Sequence, residues 1–430
     1  MSIVGFWRDV RWQAMGNTAA QVIGILGLPL LTRLYSPSDL AAQAVFLQFA
    51  MFFAGVMTLR FEYFVQLPKT DLHALALVRW TVALALLGML ICTPLVLALI
   101  PWWIATHQGP AGSGPQAWAG WLSLAPLTAA LISVSLALQH LVQRRGQFIA
   151  SGLGEVAAKG GFISFGAGAA LLNAGTLGLV LTTAFGCLAK LLVLRQTQSF
   201  RWADALPPLS RERAAWRPLV DMARTHRHLS LSMVASHLSG TVTGLAPILY
   251  IVQFHGDESL GQFNLVTMTI FLPASLIGTA IGQVYYQRAA KLWAEGLPFD
   301  ALWRQTALHL LLIGAPVYLL IALLSPWAYP LLFGAQWTAA GELAPWMAIP
   351  AFCAFLSTPL ERSCLVTGRW KYQMAWHGLR ALTTLGLVAV SAHLGLEFVR
   401  FLQLLVVQMS AMYMIDLAME HRFSRLQPNA

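Results

Sequence analysis

"LAAQAVFLQFAMFFAGVMT", residues Leu40 to Thr58, decides the fold class, because these nineteen consecutive residues carry no ionisable side chain. A helix rises about 1.5 Å per residue, so about twenty apolar residues are needed to cross about 30 Å of hydrocarbon. The stretch therefore predicts a membrane-spanning helix.

Similar apolar stretches recur along the whole chain, and the composition agrees with them. Of the 430 residues, 57% are hydrophobic and only 10% are charged, against roughly 25% charged in soluble domains. Lipid admits only helices or closed barrels, and these stretches lack the two-residue alternation of barrel strands. We therefore predict an all-α integral membrane protein with about twelve transmembrane helices. The predicted spans are residues 14–34, 39–60, 76–100, 117–140, 149–172, 175–195, 229–253, 259–285, 306–331, 341–362, 373–393 and 397–418.

The distribution of Lys and Arg predicts the orientation of these helices. If the N-terminus lies inside, 23 of the 27 Lys and Arg residues flank the spans on the inner side, and only Arg33 and Arg400 flank them on the outer side. Short positively charged loops stay cytoplasmic, so we expect both termini in the cytoplasm and the N-terminal segment retained. The net charge of +10 is then a topological signal with some attraction to anionic membrane lipids, and it gives no support to nucleic-acid binding.

The longest hydrophilic connection, Arg195 to His228, divides the predicted helices six and six. We predict an N-terminal lobe over residues 1–196, a cytoplasmic linker over 197–228 and a C-terminal lobe over 229–430. Two weakly similar stretches, which begin at Asp39 and Ser259 about 220 residues apart, align Leu40 with Leu260 and Asn17 with His237. The repeat indicates two six-helix bundles related by a pseudo-twofold axis, an arrangement typical of transporters.

Motifs for catalysis, metal binding or nucleotide binding are not found in the sequence. The four cysteines (Cys92, Cys187, Cys353 and Cys364) all fall in apolar stretches without metal-ligand spacing. There is no nucleophile motif, no paired-carboxylate site in a loop and no phosphate-cradling Gly-Lys sequence. We expect no enzymatic activity, no cofactor and no metal.

Five stretches resemble one known family. They are "LTRLYSPSDLAAQAVF", "LRFEYFVQLPK", "LVQRRGQFIASGLGEVAAKGGF", "LFGAQWTAAGELAPWMAIPAF" and "STPLERSCLVTGRWKYQ". Together they are similar, in order and over both halves, to polysaccharide exporters, the Wzx-type flippases of O-antigen and capsule precursors. This family belongs to the multidrug/oligosaccharidyl-lipid/polysaccharide exporter superfamily. The chain departs from the family at Ala41, Ala42 and Gln43, where a Gly-aromatic pair is common.

The resemblance implies two six-helix bundles in a V shape and a location in the bacterial inner membrane. The implied substrate is an undecaprenyl-diphosphate-linked oligosaccharide, moved from the cytoplasmic to the periplasmic leaflet, with glycan polymerase or chain-length machinery as potential partners. Two alternatives stay open: a multidrug antiporter on the same scaffold and a membrane glycan polymerase or ligase. The latter is disfavoured because the longest outer loop, "THQGPAGSGPQ", carries no charge.

An anionic, hydrated substrate head requires cations at membrane depth, and Lys159 is the foremost candidate. Glu155 precedes it by one helical turn, so we expect the two side chains to pair. The pair either lines a cavity or only fixes helix packing. Counting Arg380 as well, the charge balance inside the membrane is predicted to be positive.

The remaining candidates lie nearer to the ends of the predicted helices. Arg60 and Glu62 are placed at the cytoplasmic mouth, where Arg60 would receive phosphate and Glu62 would meet a cation of an inner loop. We expect them to form an ion pair at this mouth, either as part of a gate or phosphate site or as a purely structural helix-end pair; if the helix continues through Glu62, they should instead point about 200° from each other and cannot pair. Arg380 and Arg33 have alternative interpretations as snorkelling or interface residues. His237 and its repeat counterpart Asn17 could face the cavity, although a lone His is often a simple polar contact.

Overall fold

The computed structural model describes residues 3–106, 119–196, 206 and 213–427, and helices dominate this part of the chain. Short 3-10 helices cover Phe61–Phe64, Ala119–Leu124 and Ala335–Trp337. No strand occurs among the described residues, which confirms the all-α fold class. In chain order the α-helices are α1 (Ile3–Leu34), α2 (Pro37–Met57), α3 (Asp71–Thr106), α4 (Ala125–Arg144), α5 (Phe148–Leu171), α6 (Gly175–Arg195), α7 (Arg213–Ile270), α8 (Leu272–Ala294), α9 (Asp300–Phe333), α10 (Thr338–Ser357), α11 (Ser363–Val366), α12 (Trp370–Leu394) and α13 (Phe398–Ser424).

Nine stretches of the described residues are long and apolar enough to cross a membrane. One of them, Val220–Ala294, is 75 residues long and holds two of the predicted spans, because α7 breaks at Gly256, where φ is 84°. The predicted spans 149–172 and 373–393 coincide with α5 and α12, which are long enough but are not among the nine. Over most of its length, each predicted span therefore coincides with helix in the described residues.

The chain forms two compact units, Met1–Thr241 and Val242–Ala430. The division falls inside α7, within a helix and not in a loop. The predicted lobes and the predicted linker over 197–228 remain predictions, since residues 197–205 and 207–212 lie outside the described residues. The outer loop around Ser113 lies outside them as well.

Glycines let three helices of the first unit approach closely. A Cβ on Gly16 of α1 would lie 2.3 Å from the Cα of Gly152 of α5, and a Cβ on Gly161 of α5 would lie 2.8 Å from the Cβ of Ala189 of α6. Such close approaches between helices are permitted only by small residues. The helix α5 therefore packs closely at Gly152 and Gly161, whereas a Cβ on Gly160 would meet nothing within 4 Å.

The turn that resembles the exporter family holds α2 in place. Ser36 caps α2 through a reciprocal capping box with Asp39, and Pro37 occupies the first turn, where its missing N–H costs nothing. The Tyr35 hydroxyl donates to the carbonyl of Gly166 on α5 at 2.8 Å. The Tyr-x-Pro part of the motif thus connects the end of α1 and the start of α2 to α5.

Gln43, at one of the positions where the chain departs from the family, also has a structural role. Its buried side-chain amide donates to the Leu179 carbonyl at 3.1 Å and to the Thr182 hydroxyl at 3.0 Å. A side-chain amide therefore ties α2 to α6 at the position where the family commonly has small or aromatic residues.

Candidate functional site

The turn after α2 is strained and is held in place by packing. The helix ends at Met57, three residues before the predicted end. Leu59 and Arg60 then adopt φ values of 49° and 60°, the left-handed region that costs an L-residue roughly 1–2 kcal/mol. Phe61 and Phe64 of the following 3-10 helix are buried in the core of the first unit and fix the turn. Strain that is maintained in this way concentrates at functional positions.

Glu62 is buried completely in this turn. Its carboxylate accepts a hydrogen bond from the Thr58 hydroxyl at 2.8 Å and from Nη1 of Arg60 at 3.4 Å. Its backbone carbonyl accepts from Nδ1 of His140 on α4 at 2.7 Å. Burial raises the pKa of Glu62, and the hydrogen bonds to its carboxylate together with the charge of Arg60 oppose that rise.

Arg60 connects the turn to α7 through His237. Nη2 of Arg60 contacts Nδ1 of His237, and because a guanidinium only donates, Nδ1 must accept. The ring proton then lies on Nε2, which donates to the Met51 carbonyl at 2.9 Å. His237 is thus a neutral imidazole that joins Arg60 to the backbone of α2.

Two further contacts fix the turn and the ring. Ser230 of α7 donates to the Leu59 carbonyl at 2.6 Å, and the Arg60 guanidinium lies 5.1 Å from the ring centroid of Tyr63. A Cβ at Gly55 would lie only 1.9 Å from Cδ2 of His237. The imidazole can therefore reach Arg60 only because residue 55 is glycine.

One prediction about this turn is confirmed and one was wrong. The predicted ion pair of Arg60 and Glu62 is present at 3.4 Å, because α2 ends at Met57 and the helix does not continue through Glu62. Glu62 was predicted to meet a cation of an inner loop, whereas among the described residues its ionic partner is Arg60. The predicted role of Arg60 as a phosphate ligand remains a prediction.

A second charged pair lies deeper in the first unit, and it is not the predicted one. Glu155 pairs with Lys190 of α6, with Nζ and Oε1 2.9 Å apart, and the side chain of Lys190 is only 9% exposed. The prediction that Glu155 pairs with Lys159 was therefore wrong. The competing cation comes from another helix, which a spacing rule within one helix cannot anticipate.

Lys159 is exposed and has no salt bridge among the described residues. A Cβ on Gly24 of α1 would lie 3.8 Å from its side chain, so the stem of Lys159 lies beside α1. Lys159 is thus an exposed cation on α5 that no ion pair neutralises in the described part of the chain, and its depth in the membrane remains a prediction.

A chain of side-chain hydrogen bonds extends from the Glu155–Lys190 pair. Gln139 donates to Glu155 at 2.8 Å and to the Ser151 hydroxyl at 3.2 Å. Gln143 donates to the same hydroxyl at 2.9 Å and accepts from Gln66 at 3.0 Å. The buried ion pair is therefore linked by continuous hydrogen bonds to the segment between the strained turn and α3.

The remaining predicted site residues lie apart from these two clusters. Arg33 is exposed at the end of α1, and Asn17 is exposed and accepts from Gln13 at 3.0 Å. Arg380, in the second unit, lies over the Tyr413 ring at 4.9 Å and donates to its hydroxyl at 3.3 Å. The structure brings Arg60, Glu62 and His237 together, but not Asn17 or Arg33 with them.

The second unit holds an acidic cluster that was not predicted. Asp416 and Glu420 of α13 are buried. Asp416 accepts from Ser357 at 2.8 Å and from Tyr372 at 2.9 Å, and Glu420 accepts from the backbone N–H of Cys364 at 2.8 Å. The four-residue spacing of Asp416, inside the predicted span 397–418, and Glu420, just beyond its end, is the signal that could have identified the cluster.

This cluster sets the charge balance of the buried side chains. Among the described residues, the buried charged side chains are Glu62, Asp416, Glu420 and Lys190, so acids outnumber cations among them. The positive balance predicted for Lys159, Arg380 and Glu155 concerns a different set of side chains and remains a prediction. No group of residues that could hold a metal ion occurs in the described part of the chain.

Solved structures with the same fold define the class. The lipid II flippase MurJ in an inward closed conformation gives a TM-score of 0.66 at 13% identity, covering 95% of this chain and 87% of that chain. An inward-facing multidrug resistance MATE family transporter of the MOP superfamily gives 0.63 at 13% identity, covering 96% and 93%. A MOP superfamily transporter from Pyrococcus furiosus gives 0.57 at 14% identity, covering 97% and 95%. The chain is thus an all-α multi-pass membrane protein with the fold of MOP superfamily transporters.

Sequence comparison narrows the class to a family. The family model described as "Polysaccharide biosynthesis protein" matches residues 30–342, most of the chain. The chain therefore belongs to the polysaccharide biosynthesis protein family, which confirms the resemblance found in its motifs. A search among curated proteins gives no significant match.

Proposed function

We propose that the protein is a flippase that moves an undecaprenyl-diphosphate-linked oligosaccharide from the cytoplasmic to the periplasmic leaflet of the bacterial inner membrane. The substrate is the repeat unit of an O-antigen, capsule or exopolysaccharide, and it crosses by alternating access without chemical change. The protein then needs neither a catalytic group nor a cofactor. Its partners are the lipid-linked substrate, the surrounding lipids and the machinery that polymerises the glycan.

The observation that carries the proposal is the position of Arg60 in a chain of this family. Its guanidinium is held by a strained turn, by Glu62 and by His237, with 17% of the side chain exposed. A planar guanidinium fixed in this way is suited to a pair of phosphate oxygens. Lys159, which lacks an ion-pair partner among the described residues, adds a second cation for the diphosphate.

The test is a deletion strain complemented with variants. We expect the deletion to accumulate the lipid-linked oligosaccharide in its inner membrane, and the wild-type gene to restore surface glycan. Arg60→Ala and Lys159→Ala should insert normally but restore little export, and Arg60→Lys should restore less than Lys159→Arg because Lys cannot bind two oxygens in one plane. Lys291→Ala, at a side chain that is 78% exposed, is the matched control and should export normally. Normal surface glycan in the deletion strain would contradict the proposal.

Multidrug transport is the second candidate, because the MATE transporters share the fold and the second unit buries the acids Asp416 and Glu420. Acids at membrane depth suit cationic drugs. If this candidate is correct, the deletion strain should become sensitive to lipophilic cations while its surface glycan stays normal. Loss of surface glycan in the deletion strain thus indicates a flippase, and sensitivity to lipophilic cations with normal surface glycan indicates a multidrug transporter.

A further inference from the structure

A polar cavity opens in the first unit beside the hydrogen-bond chain described above. Its volume is about 600 Å³, within the range of about 300–1,000 Å³ typical of ligand pockets. It lies where α1, α4 and α5 meet the segment that leads into α3. Its lining residues are Gln13, Gln66, Asp71, Gln143, Arg144 and Phe148.

The lining is rich in groups that both donate and accept hydrogen bonds. Each of the three glutamines offers an amide donor and an amide acceptor. Asp71 accepts from Nε of Arg144 at 3.0 Å and lies 3.6 Å from Arg145, so its charge is compensated inside the protein. A lining of this composition suits a ligand with many uncharged hydroxyl groups better than an anion or an organic cation.

Gln66 shows that part of this hydrogen-bonding capacity is open to a ligand. Its side chain is exposed and donates to Gln143 at 3.0 Å, while its Oε1 accepts from no other described residue. Phe148 adds an aromatic ring, whose electron-rich face attracts the C–H groups of a sugar ring. Amides, a compensated carboxylate and an aromatic ring together form a site for carbohydrate.

The cavity is also connected to the buried ion pair. Gln66 and Gln143 line it and begin the hydrogen-bond chain through Ser151 and Gln139 to Glu155. The lining of the cavity and the Glu155–Lys190 pair therefore belong to one continuous set of side-chain hydrogen bonds.

We propose that this cavity is a carbohydrate-binding subsite that recognises hydroxyl groups of the oligosaccharide carried by the lipid-linked substrate. The inference rests on the proposed function for which carbohydrate is bound. That the ligand is a carbohydrate is inferred from the lining of the cavity itself. It separates two tasks within the first unit: Arg60 and Lys159 bind the diphosphate, and the glutamine-lined cavity selects the glycan.

The test is a direct binding measurement that does not depend on transport. The probe is the set of oligosaccharides released by partial acid hydrolysis of the host's own surface polysaccharide, titrated into purified detergent-solubilised protein in a calorimeter. We expect wild-type protein to bind and Gln66→Ala, Gln143→Ala and Gln13→Leu each to weaken binding about tenfold, the factor that corresponds to about 1.4 kcal/mol at 25 °C. Gln196→Ala, at an exposed glutamine that ends α6, is the matched control and should bind like wild type.

Phe148 separates a binding role from a structural one. Phe148→Tyr should retain binding because it keeps the ring, and Phe148→Leu should weaken it about tenfold although both variants stay apolar and fold equally by circular dichroism. The inference is overturned if wild-type protein binds no oligosaccharide at millimolar concentration. It is equally overturned if the cavity variants bind like the control, or if undecaprenyl diphosphate without sugar competes for the cavity. None of these binding results depends on whether the deletion strain accumulates lipid-linked oligosaccharide. The titration therefore tests the carbohydrate subsite, and the deletion strain separately tests the flippase function.

Discussion

At the scale of single residues, Arg60 is the position where backbone strain, charge and packing meet. Its left-handed backbone places the guanidinium between Glu62 and His237. Glu62 partly compensates its charge, and the neutral imidazole orients it without adding charge. The site can therefore receive an anion without rearranging the backbone first.

Gly55 should be as important as the charged residues, because it makes room for His237. In Gly55→Ala the new methyl group would lie 1.9 Å from the ring, so the ring must leave Arg60 and the Met51 carbonyl. We expect a melting temperature several degrees lower, from a destabilisation of about 1–3 kcal/mol, together with reduced export. The Gly55→Ala, His237→Ala double variant should be no less stable than His237→Ala, since the clash is gone. Additive losses in this cycle would show that Gly55 acts on something other than the ring.

The Glu155–Lys190 pair permits a similar cycle of variants. Glu155→Gln or Lys190→Met alone leaves one charge uncompensated, and we expect each to destabilise the protein by about 3 kcal/mol, the low end for a buried pair because 30% of Glu155 is exposed. The double variant should recover most of this loss. Thermal unfolding in detergent measures all three, and Glu155→Gln with Lys159→Met serves as the control that should not recover stability.

The raised pKa of Glu361 leads us to expect that the stability of the second unit depends on pH. It lies in the turn between α10 and α11, where burial and the charge of Asp416 raise its pKa from 4.5 to about 7, against the opposing charges of Arg362 and Arg380. A carboxyl with a raised pKa holds its proton more tightly in the folded state. Its contribution is therefore complete below about pH 4.5 and is lost as the pH rises through about 7.

We therefore expect the melting temperature of the purified protein to fall between about pH 5 and pH 8, and Glu361→Gln to make that fall smaller. Glu342→Gln, at an exposed glutamate in α10 of the same unit, should leave the slope unchanged. An unchanged slope in Glu361→Gln would assign the pH dependence to another group.

At the scale of helices, the close approach of α1 and α5 determines which glycines can be replaced. A Cβ on Gly16 would lie 2.3 Å from backbone, whereas the nearest atom to a Cβ on Gly152 is 3.1 Å away. We expect Gly16→Ala to reduce the amount of folded protein strongly, with a loss of about 1–3 kcal/mol or more, and Gly152→Ala to have a smaller effect. Gly160→Ala, which meets nothing within 4 Å, is the control and should be neutral or slightly stabilising. Fluorescence-detected size-exclusion chromatography ranks the three variants, and equal losses would contradict the packing argument.

The helices were the part of this protein that the sequence predicted well. Apolar stretches of about twenty residues mark helices because lipid leaves few alternatives. Two predicted ends came too late, at residues 60 and 362, where α2 ends at Met57 and α10 at Ser357. In both places the apolar pattern runs on into a turn that is packed against the protein, so hydropathy alone could not locate the end.

The contacts within the site were predicted less well, because they depend on how helices approach each other. Lys190 was assigned to an inner flank, yet it crosses to Glu155 on the neighbouring helix. Asp416 lay inside a predicted span but was not counted among the interior charges, and Glu420 lay just beyond it. The choice of Arg60, Glu62 and His237 as candidates did identify a connected group, and the ion pair of Arg60 with Glu62 was predicted, but the contact of Arg60 with His237 was not.

At the scale of the whole molecule, the orientation in the membrane rests on the charge distribution. The 23-to-2 division of Lys and Arg predicts that both termini and the segment around Ser210 are cytoplasmic and that the segment around Ser113 is periplasmic. Both serines lie outside the described residues, so this remains a prediction from the sequence. Proposals that place substrate loading at Arg60 and at the glutamine-lined cavity depend on it.

Cysteine labelling from the periplasm tests the orientation in intact cells. The native cysteines in the described residues are free, two of them buried and two partly buried, so all four are first replaced by alanine. A membrane-impermeant maleimide should then react with Ser113→Cys and not with Ser210→Cys, and both should react once the cells are permeabilised. Labelling of Ser210→Cys in intact cells would reverse the orientation and place Arg60 on the periplasmic side. Arg60 and the segment around Ser210 are predicted to lie on the same side of the membrane. If that side is the periplasm, the strained turn would contact the proposed substrate when it is released and not when it is loaded.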